Sequence, residues 1–292
     1  MSQLEYQGPD PAVATESGTR TVGRVALYVV LMVAAILFLL PLYWLLASAF
    51  KSQDRIYALP PEFVPSPPVI GNFGDVFSQT HLARAFFNST IIAVVHVALT
   101  LFLCSLAGFA FAAYKNAPLA KPLFVMVLAT MMIPGAVTLV PVFVLLTELS
   151  LVDTYWGMII PGAANAFGIF WMRQYISANV PPELYNAARI DGCSEFGIYW
   201  RIVLPLAKPA LGALGVLTLI ANWNNLMWAF IVLRSDHLQT MPLLIYLLQG
   251  EQRTPWGMLM AAGVLATAPL IIAFLLFQRA FVSGMTAGSV KA

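Results

Sequence analysis

The chain has 292 residues, of which 60% are hydrophobic and 10% charged, with a mean hydropathy of +0.81 and a formal net charge of +2. A soluble domain carries roughly 25% charged residues, so this composition points to an integral membrane protein and excludes disorder and coiled coil. The small net charge, with no basic patch interleaved with aromatics, excludes a nucleic-acid binder.

Residues 1–24 read as a disordered tail; the first 20 are polar and include Pro9, Pro11 and Gly18. The apolar run that follows, 25–49, is too long for a signal-peptide core and long enough to span a bilayer. Residues 51–85 hold Pro60, Pro61, Pro65, Pro67 and Pro68, which rules out a regular helix there. Further apolar runs cover 86–113, 121–146, 155–176, 207–232 and 257–282. Backbone polar groups in lipid must be paired within the segment, so these six runs predict six helices. Their length and lack of alternation argue against a β-barrel. Pro134, Pro141, Pro161 and Pro269 fall inside the runs and are expected to kink them. Between the last two runs, the apolar stretch Met241–Leu248 is too short to span and is expected in a vestibule or at the interface. Placing the N-terminus inside puts ten of the fifteen Lys and Arg residues on the cytoplasmic side, which predicts N-in and C-in. The sequence thus predicts an all-α integral membrane domain over 25–283, a loop at 177–206 and a cytoplasmic tail at 284–292.

The chain has no Gly-x-x-x-x-Gly-Lys-Ser/Thr loop, so it lacks a recognisable phosphate cradle. His81, His96 and His237 lie far apart, and neither Cys104 nor Cys193 has a partner at metal spacing, so no metal site is expected. The two cysteines also argue against a disulfide framework. No catalytic constellation appears. His96, the one central ionisable residue of the spans, suits either a functional group or a neutral imidazole bonded to a neighbouring helix.

The loop from Val180 to Pro205 carries most of the information. The Pro181-Pro182 pair predicts a helix start. Glu183 suits its first turn, and Gly192 suits a left-handed exit. A second helix is expected to begin at Ser194 as N-cap, with Pro205 interrupting its far end. Ala187 and Ala188 would allow close approach of a partner, with Arg189 and Asp191 at the rim. The same residues suit an interfacial helix lying on lipid, with Tyr199 and Trp200 as headgroup anchors.

The pattern Asn186-Ala187-Ala188, three residues, Gly192, nine residues, Ile202, one residue, Leu204-Pro205 resembles the EAA loop of ABC-importer permeases, and the fuller string resembles their maltose-permease-like carbohydrate branch. Phe50-Lys51, Asn88-Ser89, Trp223-Asn224-Asn225 and the tail from Gly284 to Lys291 agree with it. The resemblance implies a type I importer permease whose loop forms coupling helices. These would dock on an ATPase through Glu183, Asn186, Ala187, Ala188, Asp191 and Gly192. It implies as partners two ATPase subunits binding ATP and Mg, a second permease subunit, an extracytoplasmic solute-binding protein and a sugar, in a bacterial-type cell membrane. Asn186 stands where the family usually has glutamate; it keeps hydrogen bonds but loses charge-assisted pairing. Glu183, a turn earlier, could replace that charge. The tail either reaches toward the ATPases or frays.

Asn222, Trp223, Asn224, Asn225 and Trp228 crowd one run, and Asn165 lies in another. Unpaired amides in lipid cost several kcal/mol each, so these side chains are expected either to line a sugar path or to bond between helices. Thr130 and Thr138 could join the path. A secondary transporter or channel working without ATP is the alternative; it would call for repeats or intramembrane ionisable residues.

Overall fold

The computed structural model describes residues 11–250 and 254–286, and these form helices and loops with no strand among them. In chain order the helices are α1 Pro11–Ala49, α2 Gly71–Gln79, α3 Leu82–Ala113, α4 Ala120–Thr130, α5 Gly135–Glu148, α6 Tyr155–Ile159 and α7 Ala166–Asn179. There follow α8 Pro182–Ile190, α9 Glu195–Ile198, a π-helical turn Tyr199–Val203, α10 Leu204–Leu206, α11 Lys208–Trp223, α12 Leu226–Val232, α13 Met241–Leu248 and α14 Trp256–Thr286.

Helix α1 begins inside the 1–24 stretch read as a tail. No proline between Pro11 and Pro41 stops it, and adding residues to an existing helix is far easier than nucleating one. The rest of that expected tail, 1–10, lies outside the described residues, as do 287–292 of the C-terminal one.

The six apolar runs do not become six unbroken helices. Among the described residues, three helices are long and apolar enough to cross a membrane: Gly23–Ala49, Leu82–Ala113 and Trp256–Leu276. The number rises to as many as five if two sharply bent pairs each count once. Helices α4 and α5 meet at 100°. Pro134 stands at that corner in an extended conformation, φ −59° and ψ 131°; it cannot donate to a helix and disfavours helix in the residue before it. The second pair, 195–206 with α11, bends by 80° at Ala207, just before Pro209. The 155–176 run is split between α6 and α7 around Pro161 and Gly162, whose φ is +80°. The 207–232 run is split at Asn224 and Asn225. Pro141 and Pro269, by contrast, sit within the continuous α5 and α14.

The helices pack around three apolar cores. One joins α3, α7 and the α8–α10 segment through Cys104, Phe109, Met172, Ile176, Tyr199 and Val203. A second joins α2, α13 and α14 through Val76, Met241, Met258 and Ala262. The third gathers Ile92, Leu146, Met158, Trp228 and Val232. Helix α13 is therefore a short packed helix, with Met241, Leu243, Leu244 and Leu248 buried. The expectation of no regular helix in 51–85 fails beyond its prolines: Pro68 is the last of them, and α2 Gly71–Gln79 and the start of α3 at Leu82 follow it. The proline-rich segment between α1 and α2 is held by side chains. Lys51, buried to 1% exposure, donates to the Glu62 carbonyl and lies 4.0 Å from the Trp44 ring centre. Asn72 donates to the carbonyls of Ala49 and Lys51 at 2.8 and 2.9 Å.

Lipid tails are as apolar as leucine, so helices in a membrane associate through close packing rather than water exclusion. Gly108 on α3 meets that need against α7: a β-carbon there would stand 2.7 Å from Met172 Cβ and 2.8 Å from the Arg173 backbone nitrogen. Gly108→Ala should therefore cost about 1–3 kcal/mol. Gly74→Ala on α2, where a β-carbon meets nothing within 4 Å, should be neutral or better. Thermal unfolding of both variants in one detergent checks the contrast.

Candidate functional site

The 177–206 loop folds as a helix–glycine–helix unit. Pro181 precedes α8, Glu183 sits in its first turn and Arg189 in its last, as the helix dipole favours. Gly192, φ +77°, ends it in a Schellman motif: the amide of Gly192 donates to the Arg189 carbonyl at 3.0 Å and that of Cys193 to the Ala188 carbonyl at 2.9 Å. Open space surrounds Gly192, so backbone conformation alone requires glycine. Ser194 Oγ then accepts from the Gly197 amide at 3.1 Å and caps α9.

The unit has two faces. Tyr185, Ala188, Ile198 and Tyr199 are buried against Phe109 and Met172. Phe109 and Tyr185 meet edge to face at 5.7 Å, and the Tyr199 hydroxyl lies 2.8 Å from Ser105 Oγ. Burial raises the Tyr185 hydroxyl to about 12. Glu183, Asn186, Ala187, Asp191 and Gly192 are exposed. Of the six expected contact residues, Ala188 alone turns inward. Ile190, which the sequence reading passed over, points outward at 87% exposure. Its signal was its place on the helix, three and four residues from Ala187 and Asn186. Tyr199, expected at headgroups if the unit lay on lipid, is fully buried, whereas Trp200 is exposed.

A forked ion pair holds the two helices together. Arg189 Nε donates to Glu195 Oε1 at 2.7 Å and Nη2 to Oε2 at 3.1 Å. Arg189 Nη1 reaches Asn186 Oδ1 at 3.4 Å, and its guanidinium lies 5.4 Å from the ring centre of Tyr114, just beyond α3. The Arg189 hydrogen bonds, helped by the Tyr114 hydroxyl, hold the Glu195 carboxyl below the usual carboxylate range.

The second site is a cavity of about 430 Å³ where the α6–α7 break faces α11 and α12. Asn165, Asn222, Asn225 and Trp228 line it, together with His96 and Thr218. Asn165 Oδ1 caps α7 through the Gly168 amide at 2.8 Å, and its amide group donates to the Gly162 carbonyl at 3.2 Å. Asn225 Oδ1 caps α12 through the Trp228 amide at 3.3 Å. Trp228 Nε1 donates to the Gly157 carbonyl at 3.0 Å. His96 Nδ1 lies 2.8 Å from the Ile159 carbonyl, which can only accept. The proton therefore sits on Nδ1, and in the neutral imidazole Nε2 is left as an acceptor. Asn222 carries a free amide: it has no side-chain partner among the described residues. Thr218, one helical turn before Asn222, was missed, although the i, i+4 spacing would have found it.

Trp223 and Asn224 do not join this cavity. Trp223 is buried and donates to the Ala266 carbonyl at 3.1 Å, tying α11 to α14. Asn224 donates to the Ile220 carbonyl of its own helix at 2.9 Å. Both border a separate hollow beside Leu45 and Tyr246. Thr130 and Thr138 are exposed and bond to carbonyls three residues back.

Residues 105–287 match the family described as "Binding-protein-dependent transport system inner membrane component". The chain is 36% identical over 274 residues to an arabinooligosaccharides transport system permease protein of Bacillus subtilis (strain 168), covering 93% of this chain and 97% of the relative. It is 34% identical over 264 residues to a lactose transport system permease protein of Rhizobium radiobacter, covering 90% and 95%. Its fold is similar to a chain in the crystal structure of a bacterial ABC transporter involved in alginate import, with TM-score 0.75, 24% identity, and 89% and 97% of the two chains covered.

The forked pair makes a testable statement. Both side chains are partly exposed, 33% for Arg189 and 43% for Glu195, so the pair is worth about 0.2–1 kcal/mol. Glu195→Gln should speed amide exchange at Gly192 and Cys193 by roughly two- to fivefold at neutral pH. The depressed Glu195 carboxyl makes this contribution full above its unfolded value, about 4.3. It is lost as pH falls through the lower folded value. Below that point, exchange in the two proteins should converge.

Proposed function

Because the chain belongs to the family of binding-protein-dependent transport system inner membrane components, we propose that it is the sugar-translocating permease subunit of an ATP-driven importer. It is a transport subunit and not an enzyme; ATP hydrolysis belongs to separate subunits. The observation that carries the reading is the helix–glycine–helix unit, whose inner face is part of a core while its outer face has no covering.

In this reading the chain crosses the membrane six times, through α1, α3, α4–α5, α6–α7, α11–α12 and α14, with both ends in the cytoplasm. The ten-to-five division of Lys and Arg supports that orientation. Two ATPase subunits bind ATP and Mg, and one docks on Glu183, Asn186, Ala187, Ile190, Asp191 and Gly192. Ala188 anchors the unit to α3 and α7. A second permease subunit completes the path, and an extracytoplasmic binding protein delivers the sugar. Asn165, Asn222, Asn225 and Trp228 border that path: the free amide of Asn222 suits sugar hydroxyls, and an indole suits the apolar face of the ring. Trp223 and Asn224 serve helix contacts instead. The ATP-independent alternative has less support, since the cavity lining holds one histidine and no carboxylate.

The test is a mild-detergent pull-down of the tagged chain, with co-purifying proteins identified and uptake of labelled oligosaccharides measured. An ATPase and a second multi-span permease are expected, with uptake that needs ATP. A chain that purifies alone, with uptake that survives ATP depletion and collapses with the ion gradient, would overturn the reading. Two variants separate the sites. Ile190→Ser should lower ATPase co-purification and uptake about tenfold, since burying an isoleucine is worth about 1.5–3 kcal/mol; the unfolding temperature should not move. Asn222→Leu should lower uptake severalfold and leave ATPase co-purification intact.

A further inference from the structure

A pocket of about 310 Å³ opens where the end of α3, the start of α4 and the middle of α7 converge. Three cations line it: Lys115, Lys121 and Arg173. No carboxylate lines it, and none of the three forms an ion pair among the described residues. Arg173 is fixed in place. Its guanidinium stacks 4.0 Å from the ring centre of Phe124, which in turn packs against Phe111 at 5.3 Å. Its Nη1 donates to Gln174 Oε1 at 3.2 Å, whereas its Nε is buried with no partner. A buried, unpaired guanidinium N–H is costly unless an acceptor arrives.

The other wall indicates which anion would meet these three cations. Leu119, Leu123, Val125 and Met126 of the α4 segment are all about half exposed or more, and they continue outward from the two lysines as an apolar surface. The first turn of α4 has no side-chain cap, and its dipole adds to the positive field. A pocket of three cations, one of them stacked on Phe124, beside an exposed apolar strip matches a charged headgroup with acyl chains attached.

We propose that this pocket holds the phosphate of an acidic phospholipid headgroup, with the acyl chains lying along the outer face of α4. Lys115 follows Tyr114, over which Arg189 lies, so the lipid would sit directly beside the helix–glycine–helix unit. The inference goes beyond sugar transport and shares with it only the premise that this end of the chain meets a membrane surface.

The experiment is native mass spectrometry of the full-length chain, delipidated and then titrated with phosphatidylglycerol or with zwitterionic phosphatidylethanolamine. One phosphatidylglycerol should be retained in preference. Lys115→Gln/Lys121→Gln should weaken its retention roughly tenfold or more, while Lys115→Arg/Lys121→Arg retains it. Both lysines are exposed, so the unfolding temperature without lipid should be unchanged. Equal retention by the doubly neutral variant would overturn the site. If millimolar inorganic phosphate binds and phosphatidylglycerol has no advantage over phosphatidylethanolamine, the pocket takes a free anion and the lipid assignment fails. Lipid retention is read whatever the chain transports, so neither failure touches the permease reading.

Discussion

A backbone group left unpaired away from water costs several kcal/mol, and this chain interrupts its apolar runs repeatedly. The architecture depends on how those interruptions are repaired. At the α6–α7 break, Asn165 caps the new helix and His96 and Trp228 attend to the carbonyls of Ile159 and Gly157. At the α11–α12 break, Asn225 supplies the cap. Polar side chains in the apolar runs are therefore mostly repairs to the backbone. The cavity follows from the same cause. Helices that stop and restart cannot fill the space between them, and the two breaks face each other across it.

The loop works by a complementary logic. Its inner face is continuous with the core of α3 and α7, through Tyr185 on Phe109 and Tyr199 on Ser105. The Arg189–Glu195 fork links α8 to α9 across Gly192 and modestly favours their moving together. A push on the outer face is thus delivered to α3 and α7, the helices that pack most closely through Gly108. Asn165, at the cavity wall, is the N-cap of that same α7. Some twenty residues of sequence, from Asn165 to Glu183, join the place where a partner would push and the place where a solute would pass.

What the sequence made legible was local. The Pro181-Pro182 start, the left-handed Gly192 and the Ser194 cap are each decided by the chemistry of one or two residues, and each is found where it was expected. Apolar runs marked which stretches are mostly helical. They did not mark where a helix would stop inside a run. Pro134 and Pro161 stand at helix breaks whereas Pro141 and Pro269 lie inside continuous helices, a difference that residue type alone does not carry. Asn222 and Asn225 were read together with Trp223 and Asn224 because they are adjacent in sequence. The helix separates them, turning the first pair to the cavity and the second toward α14 and solvent. Pairings such as His96 with Ile159, 63 residues apart, leave no local trace.

The double duty of Asn165 and Asn225 bears on how mutational scans of such a chain are interpreted. Both border the cavity, and both cap a helix that restarts within an apolar run. An intolerant position in a scan is usually assigned to whatever lies nearest to it. Here proximity to the cavity does not distinguish loss of solute contact from loss of the wall. Serine or aspartate can still accept from the helix amide while changing what the solute meets, so the pattern of tolerated replacements separates the two roles where position does not.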